Sequence, residues 1–537
     1  MAQGYLAIVL HAHLPFVRHP EHEESLEESW LFEAITEVYV PLLLVMEGLV
    51  EDRIDFRLTF SLTPTLASML QDPFLQSRYL RRLEQLIELA EEEIKRTKSQ
   101  PEFQNVARMY QRRFMKVRDT FVDRYQNDLV RGFREFQDLG KVEIIASSAT
   151  HGFLPLLSVN PSAVRAQVWI GVEHYEDVFG RKPDGFWLPE CGYYPGLDAV
   201  LHEVGIRHFI LETHGLTRAD PRPKYGVHAP IHSPAGVAAF GRDPESSKQV
   251  WSSVEGYPGD FDYREFYRDI AYDLDLDYLR GYLHPEGIRT DTGIKYYRVT
   301  GKTDRKEVYM PEQAQAKAEV HAANFVRNRQ RQIEFLASRM DRKPIIVAPY
   351  DAELFGHWWY EGPLWLDFVA RKIALEQKTI RLVTLSEYLQ EYPVNQVAVP
   401  AISTWGYKGY NEVWINGSND WIYRHLHGAA DLMEELEEAY SGAQGRRLRA
   451  LNQARRELLL AQASDWAFMI HMGTMAEYAS NRTKIHLARF HQLYRQIKED
   501  AVDEAWLSSL ENQDNIFPGD ILSSFARTFT TPEGSGG

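Results

Sequence analysis

Short apolar runs recur along the first 400 residues, separated by stretches with helical spacing. The runs at 5–10, 55–62, 142–146, 185–188, 208–211, 236–240, 345–349 and 380–384 each read as a buried strand. Several end directly in polar, chemically capable residues: His11 and His13, Thr63, His151, Glu190, Glu212 and Asp351. In parallel α/β folds the chemistry sits at the carboxyl ends of the strands. The repetition of that ending predicts a barrel-like sheet with one active face.

The rhythm breaks twice. From about 79 to 140 the chain is charged and helical, with acid–base pairs four residues apart, which predicts a solvated helical subdomain inserted into the barrel. The stretch 217–259 is rich in Pro and Gly, and a second loop-like region spans 284–310 before a helical run over 311–340. Beyond about residue 400 the pattern is mostly helical, with runs at 421–439, 445–468 and 475–499, the first with Asp420 placed to cap it. The division expected is a catalytic unit over 1–400, interrupted by the insertion at about 79–140, and a helical unit over 401–537 that completes the cleft. The tail TTPEGSGG is expected to be disordered.

Composition narrows the class. A formal charge of −16 argues against a phosphate-backbone partner, so no nucleic acid is expected. The apolar run at 5–10 is too short to cross a membrane, and the sequence has no run of about 20 apolar residues, so no membrane partner is expected. One cysteine, Cys191, excludes an intrachain disulfide and a Cys-rich zinc site. The reading is a cytoplasmic protein, with a monomer favoured and the oligomeric state left open. Aromatics reach 12% of the chain and gather near the polar motifs, where flat faces can stack on sugar rings.

Four segments carry candidate chemistry. In HAHLPF, His11 and His13 lie two apart on a strand and so share a face. They suit either a metal pair completed by His151 and Asp351, or hydrogen bonding to hydroxyls or a carboxylate. In GFWLPECGY, Glu190 follows an apolar strand among aromatics, a setting for a fixed, ionised nucleophile. Cys191 beside it is a rival nucleophile. In APYDAELFGHWWYEGP, Asp351 lies at a strand end as the second carboxylate; Glu353 would orient it or pair with a histidine, and Glu361 would cap or form a surface pair. The segments TWGY, VWIN, DW and SDW set Trp405, Trp414, Trp421 and Trp466 beside amides and carboxylates, which suits carbohydrate subsites; for Trp421 and Trp466 plain core packing fits equally well.

HAHLPF, ATHGFLPLL, FWLPECGY, YDAELFGHWWYEGP and SDWAFMIHMGTMAEYASNRTKIHLARF resemble, in order, the five signature regions of glycoside hydrolase family 57. The helical end and TWGYKGYNEVWIN look like the family's branching members. The resemblance implies an incomplete TIM-like (β/α)7 barrel with an inserted helical subdomain and a C-terminal α-helical domain. It implies a retaining double displacement on α-glucans (amylose, amylopectin, glycogen), with Glu190 as nucleophile and Asp351 as acid/base, and no metal or organic cofactor. It places His11, His13, His151, Arg264, Gly281, Trp405, Trp414 and Asp465 at substrate-contact or supporting positions. The family's amylases and 4-α-glucanotransferases are the near alternatives. A metal-dependent hydrolase or deacetylase, or a silent glucan-binding protein, is the alternative from another class.

Overall fold

The structure, a computed structural model, describes residues 2–252 and 256–519, so the tail TTPEGSGG lies outside it. Nine strands form one sheet: β1 (Gly4–Ala12), β2 (Leu58–Leu62), β3 (Val142–Ser147), β4 (Gly185–Trp187), β5 (His208–Leu211), β6 (Ile231–His232), β7 (Ala238–Gly241), β8 (Ile345–Asp351) and β9 (Ile380–Leu382). The path runs β6-β7-β5-β4-β3-β2-β1-β8, with β9 beside the start of β1. From β7 to β8 every pairing is parallel. The Asp243 amide, just past β7, donates to the Val347 carbonyl on β8 at 2.9 Å, so the seven parallel strands almost close. This is the (β/α)7 barrel expected, with its carboxyl ends gathered on one face.

All nine residues of β1 are buried, as a central strand covered on both faces requires. Its register sets the active face, because His11 pairs with Ser61 on one side and with Asp351 on the other. The helix Pro161–Phe179 packs so tightly on β3 that a Cβ at Gly171 would stand 2.1 Å from the Ser147 carbonyl oxygen. The short β6 escapes the hydrophobic pattern because two residues carry no periodicity; it pairs antiparallel with β7 as a hairpin edge. After the hairpin, Pro244–Trp251 forms a helix capped by Asp243.

The helix spanning Glu28–Glu51 is long and apolar enough to cross a membrane by length and composition, and 67% of its apolar window is buried inside this fold. The insertion consists of the helices Pro73–Arg96, Pro101–Asp119 and Leu129–Asp138, the first and third capped by Asp72 and Asp128. Not all of its charge is solvated. Glu93 is fully buried and accepts from the hydroxyls of Tyr278 (2.8 Å) and Tyr296 (2.7 Å), tying the insertion to the 257–310 region.

The C-terminal helices are Trp421–Tyr440, Gly445–Ala461, Ser464–Met472, Ala476–Lys498 and Glu504–Gln513. Two expectations change here. Asp420 makes no side-chain cap, having helical backbone angles itself. The run expected at 445–468 breaks at Ala463, whose extended backbone (φ −55°, ψ 133°) bridges to Gly152. The Ser464 amide then donates to the His151 carbonyl at 3.0 Å, and a new helix starts at the barrel mouth. Helical spacing continues through the break, which is why the sequence hides it.

Candidate active site

Glu190 sits on a tight turn after β4, with φ 61°, a left-handed conformation that a non-glycine residue adopts at some cost. The turn throws the carboxylate into the barrel mouth. There it accepts from Trp405 Nε1 at 2.7 Å and from Ser464 Oγ at 2.9 Å. Burial raises its pKa, and these donors oppose that rise. Asp351 ends β8 and has no hydrogen-bonding partner for its carboxyl among the described residues. Burial, then the charges of Glu353 and Glu190, push its pKa well above the carboxylate range. Asp351 thus feels the charge of Glu190, and only Glu190 has donors that favour its ionised form. Such divergence separates an ionised nucleophile from a protonated acid.

The histidines support this pair. His11 Nδ1 meets Ser61 Oγ at 3.1 Å and its Nε2 meets His151 Nε2 at 3.0 Å; His151 Nδ1 meets Ser464 Oγ at 2.9 Å. Burial drops the pKa of both rings well below the usual value, so both are neutral near pH 7. One proton assignment satisfies every contact: Ser61 donates to His11, His11 to His151, His151 to Ser464, and Ser464 to Glu190. The chain ends on the carboxylate and favours its charge. His13 bonds Thr63 Oγ1 at 3.0 Å and Asp465 Oδ1 at 3.0 Å. Burial opposes its charge, but Asp465 overcomes that and raises its pKa.

At the barrel mouth it is His13, His151 and Asp465, and not Asp351, whose ligand atoms lie within 4.8 Å of one another; among the described residues Glu457, His486 and Asp514, buried in the C-terminal helices, form a second such group. The rings of His13 and His151 stack face to face with centroids 3.8 Å apart, and their nitrogens already hold hydrogen bonds. Ligation would have to break that network, so the geometry favours hydrogen bonding over a metal. Cys191 is buried and its thiol pKa is pushed well up by burial, which removes the thiolate a cysteine nucleophile needs.

Other candidates fall elsewhere. Trp405 lies at the mouth, edge-on to Trp187 at 5.1 Å, and Trp187 stacks on His11 at 4.4 Å. Trp414, expected as a sugar platform, is fully buried and stacked on Phe153 at 4.4 Å. A Cβ at Gly406 would meet its ring at 2.7 Å, so Trp414 seats the loop that carries Trp405. Arg264 is buried too: it pairs with Glu37 at 2.9 Å and lies over the Tyr360 ring, and its guanidinium reaches the His357 carbonyl. It holds the His357 loop instead of facing a ligand. Gly356 in that loop has φ +115°, and a Cβ there would stand 1.8 Å from the Glu37 carbonyl oxygen. Gly281 lies on the exposed turn Arg280–Tyr282 beside the insertion, outside the carboxylate network. Glu361 is buried instead of forming a surface pair, accepting from Tyr309 Oη at 2.7 Å and the Arg264 amide at 3.1 Å. Glu353 accepts from the His13 amide at 3.1 Å and Tyr39 Oη at 2.6 Å. Trp466 is core, with Nε1 on the Leu460 carbonyl, and Trp421 is half-buried under Lys484.

Ser61 escaped notice, while Thr63 was marked only as a strand end and Ser464 only as part of the SDW segment. Ser61 on β2 pairs with His11 on β1, and Thr63 just past β2 bonds His13 just past β1, so strand register is the signal that finds them. Ser464 carried no local signal.

The model of glycosyl hydrolase family 57 matches residues 7–327, and that of the 1,4-α-glucan branching enzyme C-terminal region matches 425–521. The chain is 35% identical to a 1,4-α-glucan branching enzyme of Thermococcus kodakarensis, over 96% of this chain and 77% of that relative. A solved α-amylase from Thermotoga maritima superposes with a TM-score of 0.91 at 45% identity, covering 97% of this chain and 99% of that one. A solved family 57 branching enzyme from Pyrococcus horikoshii superposes at 0.87 with 34% identity, covering 97% of each chain.

Proposed function

The chain belongs to glycosyl hydrolase family 57, and from that premise we propose that it is a 1,4-α-glucan branching enzyme acting by retaining double displacement. Glu190 attacks C1 of an α-1,4-linked donor while Asp351 protonates the departing glycosidic oxygen, leaving the glucan fragment as an ester on Glu190. Asp351, now ionised, takes the proton from a 6-hydroxyl of an acceptor glucan. That oxygen displaces Glu190 at C1 and creates an α-1,6 branch. Amylose, amylopectin and glycogen are the matching substrates.

The observation that carries this reading is the unequal environment of the two carboxyl groups: Glu190 holds two side-chain donors and Asp351 holds none. The likeness to a 1,4-α-glucan branching enzyme over nearly the whole chain and the matched C-terminal region support transfer over hydrolysis. A second reading, α-amylase, is favoured by the 45% identity to the Thermotoga protein. The two share the first displacement and differ in whether water or a glucan hydroxyl completes the second. The test is incubation with pure amylose, followed by linkage analysis and isoamylase debranching. Branching yields new α-1,6 links with few new reducing ends; hydrolysis yields reducing ends alone. Loss of both in Glu190→Gln is expected, and equal activity in that variant removes Glu190 from the role.

A further inference from the structure

The helix Ser464–Met472 begins at the nucleophile, but its chemistry does not stop there. At 100° per residue, Ser464, Asp465, Phe468 and Met472 fall within an arc of about 100°, a single stripe. The first two are engaged in the site: Ser464 with Glu190 and His151, Asp465 with His13. The next two are not. Phe468 is 43% exposed and Met472 is 57% exposed, on a helix whose opposite face is core. The stripe therefore runs from the carboxylates outward over about 12 Å of helix and becomes more open as it goes. Beside its far end, Asn416 Nδ2 and His471 Nδ1 lie 3.0 Å apart, joining it to the loop after Trp405 and Trp414. Ile415, next to that asparagine, is 39% exposed.

We propose that this stripe, with Phe468 and Met472 as apolar contacts and His471, held in place by Asn416, as the polar one, binds an α-glucan chain outside the scissile linkage. A glucan presents apolar ring faces edged by hydroxyls, and flat or polarisable side chains beside an imidazole match that alternation. Continuity with the catalytic pocket along one helix face assigns the occupant. The stripe would then set how long a segment the enzyme prefers. The proposal rests on the reading of the carboxylate pair as an α-glucan site.

The test uses full-length Glu190→Gln protein, so that bound chains stay intact, with and without Phe468→Ala/Met472→Ala. Affinity is measured by calorimetry for maltooligosaccharides of increasing length and for amylose. In the parent, affinity should rise with chain length; in the triple variant the gain from longer chains should fall about tenfold, the factor that 1.4 kcal/mol of lost contact corresponds to. An identical length dependence in both proteins, with matching melting temperatures, overturns the stripe. No binding of any glucan by either protein instead overturns the functional reading. Light scattering that shows a dimer abolished by the double substitution assigns the patch to a second copy of the chain, and also overturns the proposal.

Discussion

Replacing Ser464 by alanine isolates what the helix start contributes to the nucleophile. The hydroxyl touches Glu190 Oε1 at 2.9 Å and His151 Nδ1 at 2.9 Å, so its loss takes one of two side-chain donors from the carboxylate and the acceptor from a buried imidazole. A hydrogen bond to a charged group contributes about 1.5–3 kcal/mol. Without that donor the Glu190 pKa, already raised by burial, should rise further. The nucleophile must be ionised to attack, so a higher pKa moves the acid limb of the pH–rate profile toward neutral pH. Below that limb kcat/KM should fall by about 10- to 100-fold, and above it the deficit should shrink. The assay is kcat/KM on amylose across pH, with thermal unfolding in parallel. A uniform loss at every pH, with no movement of the acid limb, would refute the claim that Ser464 acts through the Glu190 charge. Trp405→Phe removes the other donor at 2.7 Å, and the double variant should lose less than the sum of the two, because both act on one carboxylate.

Asp351→Asn should abolish action on amylose but spare the first displacement on a glycosyl fluoride, whose leaving group needs no proton; equal loss on both substrates would deny Asp351 the acid role. Glu353→Gln removes the charge that, after burial, does most to raise the Asp351 pKa, so the alkaline limb of kcat/KM should move to lower pH, and an unmoved limb would contradict that coupling. Arg264→Met takes the guanidinium from Glu37 and leaves only His357, 2.7 Å away, to pair with that buried carboxylate, a loss of up to about 3 kcal/mol that calorimetric unfolding should register. Trp414→Ala should cost about 3–5 kcal/mol of stability by emptying a buried site beside Phe153, and a substitution that weakens glucan binding at full stability would restore Trp414 as a platform.

Much of the scaffold was legible because its signals are local. A strand covered on both faces needs an apolar run, and β1 and β8 show one, ending at His11 and Asp351. The two acidic motifs and the paired histidines announce themselves by residue type and by what precedes them. What those residues do to one another is not local. Glu190 and Ser464 are 274 positions apart, and His13 and Asp465 are 452 apart, joined only once the barrel curls and a helix starts at its mouth. Trp414 looked like Trp405 in sequence, and Arg264 looked free, because exposure belongs to packing and not to residue type. The sequence by itself determined which strands form and which acids end them. The tertiary structure decided that one carboxyl has donors and the other none, because solvation and charge depend on distances in space that no periodicity encodes.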